Sequence, residues 1–283
     1  MDRELVLAIL GALLTGLTLQ VASLWPTAKP AVCVSRSPRR AEHRCWWQVW
    51  KPLAPMIAVL CGLAGWAVLE PSNAERVPRT LLVLALPCAF VWLRAVSRAV
   101  KALTRRPVVR TAGVLGLLRP RIVISDRFRA CVDAQAIAAA EAHEAAHVRH
   151  RDPLRLWLAQ FATDLQWPSP RAADRLCAWM RVVECARDDE ARRAGVEGAD
   201  LAAAIIAAVR LQDAHRAATA LIGDPIDFET RIKRLLVPPP TDDDVPRSAS
   251  RFVVASAPAL IAVALIGALC GEWVVRTVFS ALP

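Results

Sequence analysis

The sequence predicts a mainly α-helical fold, a polytopic four-helix membrane region carrying one cytoplasmic, mostly helical domain with a small β element. Three observations predict it. Apolar residues make up 55% of the 283 and gather in blocks, each near the ~20 residues that a helix needs to cross a bilayer core. Basic residues crowd alternate connections between those blocks. A long stretch rich in alanine and helix-capping residues then separates the last two blocks.

The blocks come first in the chain order. Leu5 to Trp25, Pro52 to Leu69 and Phe252 to Gly271 contain no charged residue. The remaining block, Leu81 to about Val96, contains Arg94, whose charge must snorkel to an interface if the segment spans. The leader Met1-Asp2-Arg3-Glu4 has no net positive charge and its apolar run is long, so the first block reads as a span rather than a cleaved signal peptide.

Charge then orients the spans. Lys29, Arg36, Arg39, Arg40, Arg44 and Lys51 lie between the first two blocks, and Arg98, Lys101, Arg105, Arg106 and Arg110 follow the third. The connection holding Glu70, Glu75, Arg76 and Arg79 balances to zero. By the positive-inside rule the first loop and the segment from about Leu103 to Arg251 are cytoplasmic, and both termini are outside. The expected location is the inner (cytoplasmic) membrane, with the lipid bilayer as one partner. Trp46, Trp47, Trp50 and Trp273 suit an interfacial aromatic belt. The net charge of +10 thus reports topology, and no direct nucleic-acid binding is expected. Cys61, Cys88 and Cys270 fall in apolar blocks and Cys131, Cys177 and Cys185 in the cytoplasmic segment, so reduced thiols are expected, and no CxxC pair supports a thiolate metal site.

These boundaries give residues 1–102 as a region with three transmembrane helices (about 5–25, 52–69 and 80–97), 103–247 as the cytoplasmic domain, and 248–283 as a fourth helix (about 252–271) with a short external tail. Within the domain, Arg121-Ile122-Val123-Ile124 after Pro120 predicts a short edge strand. Asp133 is a good N-cap for a helix running to about Arg151. After the break at Asp152-Pro153, Leu154 to about Trp167 reads as a second helix ending before Pro168. Ser169-Pro170 opens a third, which Gly195 stops. A further helix covers about Asp200 to Ala217. Val237 to Pro246, rich in proline and aspartate, reads as a polar linker.

The chemistry lies in His143-Glu144-Ala145-Ala146-His147, near the end of the first of these helices. Positions i and i+4 share a helix face, so both imidazoles can reach one ion at ~2.0–2.1 Å. Glu144 falls beside them, within reach of a water on that ion but not needed as a ligand. This is the metalloprotease pattern, in which zinc acidifies a water and a glutamate takes its proton. His150 stands ~10 Å along the helix from His143, too far to converge on the same ion. Glu184 and Asp188, themselves at i and i+4, offer a carboxylate ligand and an acceptor for the far nitrogen of a ligand histidine. By spacing alone, a solvated salt-bridged face amid Arg181, Arg187 and Arg192 accounts for them equally well.

From about Gly113 to Leu236 the sequence resembles the membrane zinc peptidases typified by the BlaR and MecR β-lactam sensor-transducers. The resemblance is carried by Gly116-Leu117-Leu118-Arg119-Pro120-Arg121-Ile122-Val123-Ile124, by His143 to His147 with Arg149 to Asp152, by Glu184-Cys185-Ala186-Arg187-Asp188-Asp189, and by Arg231-Ile232-Lys233-Arg234-Leu235-Leu236. It implies a gluzincin-like zinc metalloendopeptidase in which His143, His147 and Glu184 bind Zn2+, Glu144 is the catalytic base and Asp188 supports the site. It also implies a protein substrate, with a winged-helix repressor of the BlaI and MecI type as the expected partner, cleaved in signal-responsive proteolysis. The chain ends at Pro283, soon after the fourth block, so an extracellular penicillin-binding domain and direct β-lactam sensing are not expected. The nearest rival is the HtpX and Ste24 group of membrane quality-control peptidases, which shares HExxH and a downstream Glu-xxx-Asp and against which the Gly-Leu-Leu element weighs; another is a non-catalytic transducer with structural zinc, in which Glu144 would have no task. His215 and Arg231 are set aside as surface or capping residues.

Overall fold

A computed structural model describes residues 3–26, 38–69, 79–104, 109, 111–216 and 225–237. Among them the chain is mainly helical, with one two-stranded sheet. The fourth apolar block and the proline-rich linker from Pro238 onward lie outside the described residues.

The N-terminal part forms a three-helix bundle of α1 (Arg3–Ser23), α3 (Leu53–Leu69) and α4 (Arg79–Thr104). Its far end is closed by Ile9, Leu10 and Leu13 of α1, Trp66 of α3, and Leu81 and Ala85 of α4. At the opposite end Leu19, Leu53, Met56 and Ala95 join the core of the remaining helices. The end of α1, the start of α3 and the end of α4 therefore face the same way, as successive crossings in alternate directions require. Gly16 lets α1 approach α4 closely, because a Cβ there would overlap the Cys88 side chain.

The block containing Arg94 is the one with the firmest structural case. Among the described residues only α4, over Thr80–Thr104, is by itself long and apolar enough to cross a membrane. The apolar part of α1, Ala8–Ser23, is shorter, and α3 passes that test only together with the preceding helix, from which it bends by 45°. Leu82, Val83, Leu86, Phe90, Leu93 and Val100 of α4 are exposed among the described residues and form an apolar face. Arg94 does not simply reach for water. Its Nη1 lies 3.3 Å from Asp164 Oδ1, its guanidinium stacks 4.9 Å from the Trp167 ring, and Arg98 Nε donates to the same carboxylate at 3.0 Å.

A second departure concerns the basic segment between the first two blocks. Pro38–Trp50 is not a plain loop but helix α2. Its Ala41, Cys45 and Val49 are buried with Trp179, Val182 and Val183, and Trp46 stacks on Trp179 at 5.1 Å. The charges that suggested a solvent-facing connection are partly spent on ion pairs with the domain, as at Arg39 and Glu190, and Trp46 and Trp50 pack against its core while Trp47 stays exposed.

The domain itself runs β1 (Ala112–Leu115), β2 (Arg121–Ile124), α5 (Asp126–Arg129), α6 (Ala134–Arg149), α7 (Asp152–Leu165), α8 (Pro170–Arg193), α9 (Gly198–Arg216) and α10 (Pro225–Leu235). The expected strand is β2; it pairs antiparallel with β1, Gly113 opposite Val123 and Leu115 opposite Arg121. Gly116, at φ +96°, starts the turn between them in the left-handed region that suits glycine. Ala136, Ala139, Ala140 and Ala146 of α6 are buried, and these small side chains let it lie close to α8 and α9.

Candidate metal centre

Helix α6 presents both histidines to one cleft. Asp133 caps its start by accepting from Ala136 N–H at 2.7 Å. At its other end His150 occupies the C-cap and gives its ring to Glu190, Nε2 to Oε2 2.8 Å, which removes it from the cleft as its spacing required. Arg151 then turns the chain in the left-handed conformation, φ 52°, so that Asp152 begins α7 beneath His147. Helix α8 crosses opposite, where Ser169 holds the N-cap position but spends its hydroxyl on Ser23 O of α1.

Three of the expected residues come together. His143 Nε2 lies 3.5 Å from Glu184 Oε2, His147 Nε2 lies 3.6 Å from Glu184 Oε1, and the two Nε2 atoms are 3.1 Å apart. A tetrahedral ion with ligands at ~2.0–2.1 Å separates its donors by about 3.4 Å, so the set already has the right spread. Its chemistry points the same way. His147 Nδ1 meets Asp152 Oδ2 at 2.9 Å, and His143 Nδ1 approaches Asp188 Oδ1 to 2.9 Å. The second contact is close but falls outside hydrogen-bond geometry. With a proton on each Nδ1 and both rings neutral, two Nε2 lone pairs and a Glu184 oxygen would converge on one point. Such a cage calls for a cation, which is the fit expected of a His-His-Glu zinc site.

A proton competes for the same place. Burial disfavours a charge on His143, but Asp188 and Glu184 outweigh it and push the imidazole up to about 10. Burial would raise Glu184 too, yet Arg231 and the two histidines hold it well below the usual carboxylate range. Asp188 is likewise lowered against burial, chiefly by Arg231, and Asp152 by His147 and Arg187. Glu144 moves the other way. Burial raises its carboxyl, with only partial opposition from His143 and His147, which suits a group that must take a proton near neutral pH.

Residues beyond the expected set complete the centre. Arg231, set aside on the sequence, donates from Nε to Asp188 Oδ2 at 2.7 Å and from Nη2 to Asp188 Oδ1 at 2.9 Å, while its Nη1 lies 3.0 Å from Glu184 Oε2. One turn on, Arg234 clamps Asp189, Nη2 to Oδ2 2.9 Å, which turns Asp189 away from the histidines. The side chain of His215 is not among those described. Asp152 was legible only as part of the element following the second histidine. The cleft in front, about 300 Å³, is lined by Glu144 and the ligand set together with Val114, Leu156, Met180 and Val183, a size at the lower end for small ligand sites.

Compared with known proteins, residues 80–233 match the family model described as BlaR1 peptidase M56. No curated protein and no solved structure matches the chain.

Proposed function

The chain belongs to the BlaR1 peptidase family M56, and from that membership we propose that it is a membrane-embedded, zinc-dependent endopeptidase acting in signal-responsive proteolysis. The observation that carries the reading is the convergence of His143 Nε2, His147 Nε2 and a Glu184 carboxylate oxygen beside Glu144.

In this reading His143, His147 and Glu184 hold the zinc. When bound, zinc supplies Lewis acidity that makes water a nucleophile at neutral pH and polarises a peptide carbonyl. Asp152 keeps a proton on His147 Nδ1, and the Asp188 charge 2.9 Å from His143 Nδ1 favours the same tautomer there, which leaves each Nε2 free. Glu144 takes a proton from the attacking water at a carboxylate oxygen and passes it to the departing amide nitrogen. A carbon–oxygen bond forms, the carbon–nitrogen bond breaks, and the glutamate ends as it began. Arg231 keeps Asp188 and Glu184 ionised, and Leu156, Met180 and Val183 give the cleft an apolar wall for a peptide side chain.

Residues 103–247 act as the peptidase, in the cytoplasm, beneath four spans. The loop charges support this, and so does the common direction of the ends of α1, α3 and α4 that meet the domain. A cytoplasmic cleft fits a cytosolic or membrane-proximal protein substrate, of which a winged-helix repressor of the BlaI and MecI type is the proposed example. The decisive test pairs zinc analysis of the detergent-purified chain with mass spectrometry of cleavage products. Glu144→Gln should keep its zinc and lose ~10²-fold or more in turnover, whereas His143→Ala and His147→Ala should lose the metal. Equal cleavage by Glu144→Gln and the unaltered protein would reject the assignment.

A further inference from the structure

Behind His147 lies a quartet of charges, three of them buried and Arg155 half-buried, that reaches out of the peptidase and into α2. Asp152 Oδ2, which meets His147 Nδ1, also accepts from Arg187 Nε at 2.6 Å, and its Oδ1 accepts from Arg187 Nη2 at 3.0 Å and Arg155 Nη1 at 2.9 Å. Both arginines continue to Glu42: Arg187 Nη2 donates to Oε1 at 3.0 Å and Nη1 to Oε2 at 3.3 Å, and Arg155 Nη1 donates to Oε1 at 2.5 Å. Arg187 is 0% exposed, Asp152 6% and Glu42 7%. Two guanidiniums and two carboxylates sum to zero. Glu42 is the one member that lies outside residues 80–233, the stretch shared with the family.

We propose that Glu42 is a positioning residue of the metal centre: by sharing Arg187 and Arg155 it leaves Asp152 free to hold His147, so the segment before the second apolar helix completes the site. The inference rests on the metal centre proposed above. Its physical basis is competition. Asp152 has one carboxylate for three cationic or N–H partners. While Glu42 takes half of the guanidinium hydrogen bonds, Oδ2 can stay on the imidazole. Without that charge, buried Arg187 and half-buried Arg155 have a single counter-ion, they draw Asp152 away from His147, and an uncompensated positive charge remains behind a site built for a cation. A role in packing alone would not depend on the sign of the quartet. Ion pairs of this kind are often replaceable by apolar groups at no loss of stability, so the link to His147 is what gives this one a specific consequence.

The test is zinc affinity, measured by competition with a chromophoric chelator on the full chain in detergent, with near-UV dichroism to follow the folded state. Glu42→Gln, nearly isosteric, should weaken zinc binding by ~10- to 100-fold, the range seen when the partner of a ligand histidine is disturbed. Glu42→Gln with Arg155→Gln restores neutrality and should bring affinity back to within about threefold of the unaltered protein, a non-additive recovery expected of coupled charges. Arg155→Gln alone, which breaks the same contact with the opposite sign, should bind zinc as well as the unaltered chain or better. The inference is overturned by unchanged affinity in Glu42→Gln, by a double variant that is weaker still, or by a loss in Arg155→Gln equal to that in Glu42→Gln. An unaltered chain that takes no zinc overturns the proposed function and this inference together.

Discussion

At His143 two occupants contend for one nitrogen. Without metal, the proton held by Asp188 and Glu184 is favoured up to about 10, above the ordinary value of 6.5. A raised value on a cationic group stabilises the metal-free protein fully below about 6.5, and that contribution fades as pH rises through the folded value. Zinc requires the same Nε2 to be bare, so binding must expel the proton across the neutral range. Zinc affinity is therefore expected to rise about tenfold per pH unit between pH 6.5 and 9, one proton being displaced per ion. Competition titrations at several pH values measure the slope, and a flat profile would show that His143 is already neutral in the empty site. The convergence of His143, His147 and Glu184 was legible from helical spacing plus the family resemblance. Arg231, Arg187 and Glu42 were not, because an arginine in a helix looks alike whether it faces water or a buried aspartate, and only the crossing of α8 with α2 and α10 separates the cases.

Among the elements, those with strong local punctuation were readable before any tertiary contact was known. Helix α6 has Asp133 at its start, and α8 has Pro170 in its first turn and Gly195, φ +97°, beyond its end. Removing such a signal should be felt by the element and not by the chemistry. Asp133→Ala deletes the acceptor for Ala136 N–H at a distance of three turns from the ligands, and should cost about 1 kcal/mol of stability while zinc affinity stays unchanged. A lower unfolding midpoint with unaltered chelator competition is the expected result; weaker zinc binding would mean that the cap sets the ligand geometry. Helix α2 opens on Pro38 after Ser37, as α8 opens on Pro170 after Ser169, but that signal was masked by the basic run around it, and strand β1 had no comparable punctuation. The former is basic and tryptophan-rich and packs mainly on α8 and α7. The latter has four residues, Ala112–Leu115, and acquires its structure from β2.

For the whole molecule, the charge pattern predicts a cytoplasmic domain, and the end of α1, the start of α3 and the end of α4 all meet that domain. Single cysteines placed near Ser72, near Asp200 and after Leu282 should react with an impermeant reagent from outside at the first and last and be protected at Asp200 until the membrane is opened. Outside labelling at Asp200 would place the cleft away from every cytosolic substrate. The same architecture hid one property from a linear reading, since the boundary drawn at residue 102 separates Glu42 from the aspartate it serves, and a cut there would leave Arg187 facing a void.

The Glu42 quartet also obliges a symmetry. If holding α2 in place strengthens zinc binding by some factor, occupancy by zinc must strengthen the hold on α2 by the same factor, since the two routes around a thermodynamic cycle end at one state. Chelation should then speed hydrogen exchange along Pro38–Trp50, far from any ligand, and unchanged exchange there would show that the helix does not feel the ion. Because α3 follows α2 after two residues, a metal deep in the peptidase would register as a change in tension at the base of an apolar helix, and a pull on that helix would be answered as a change in the grip on the metal.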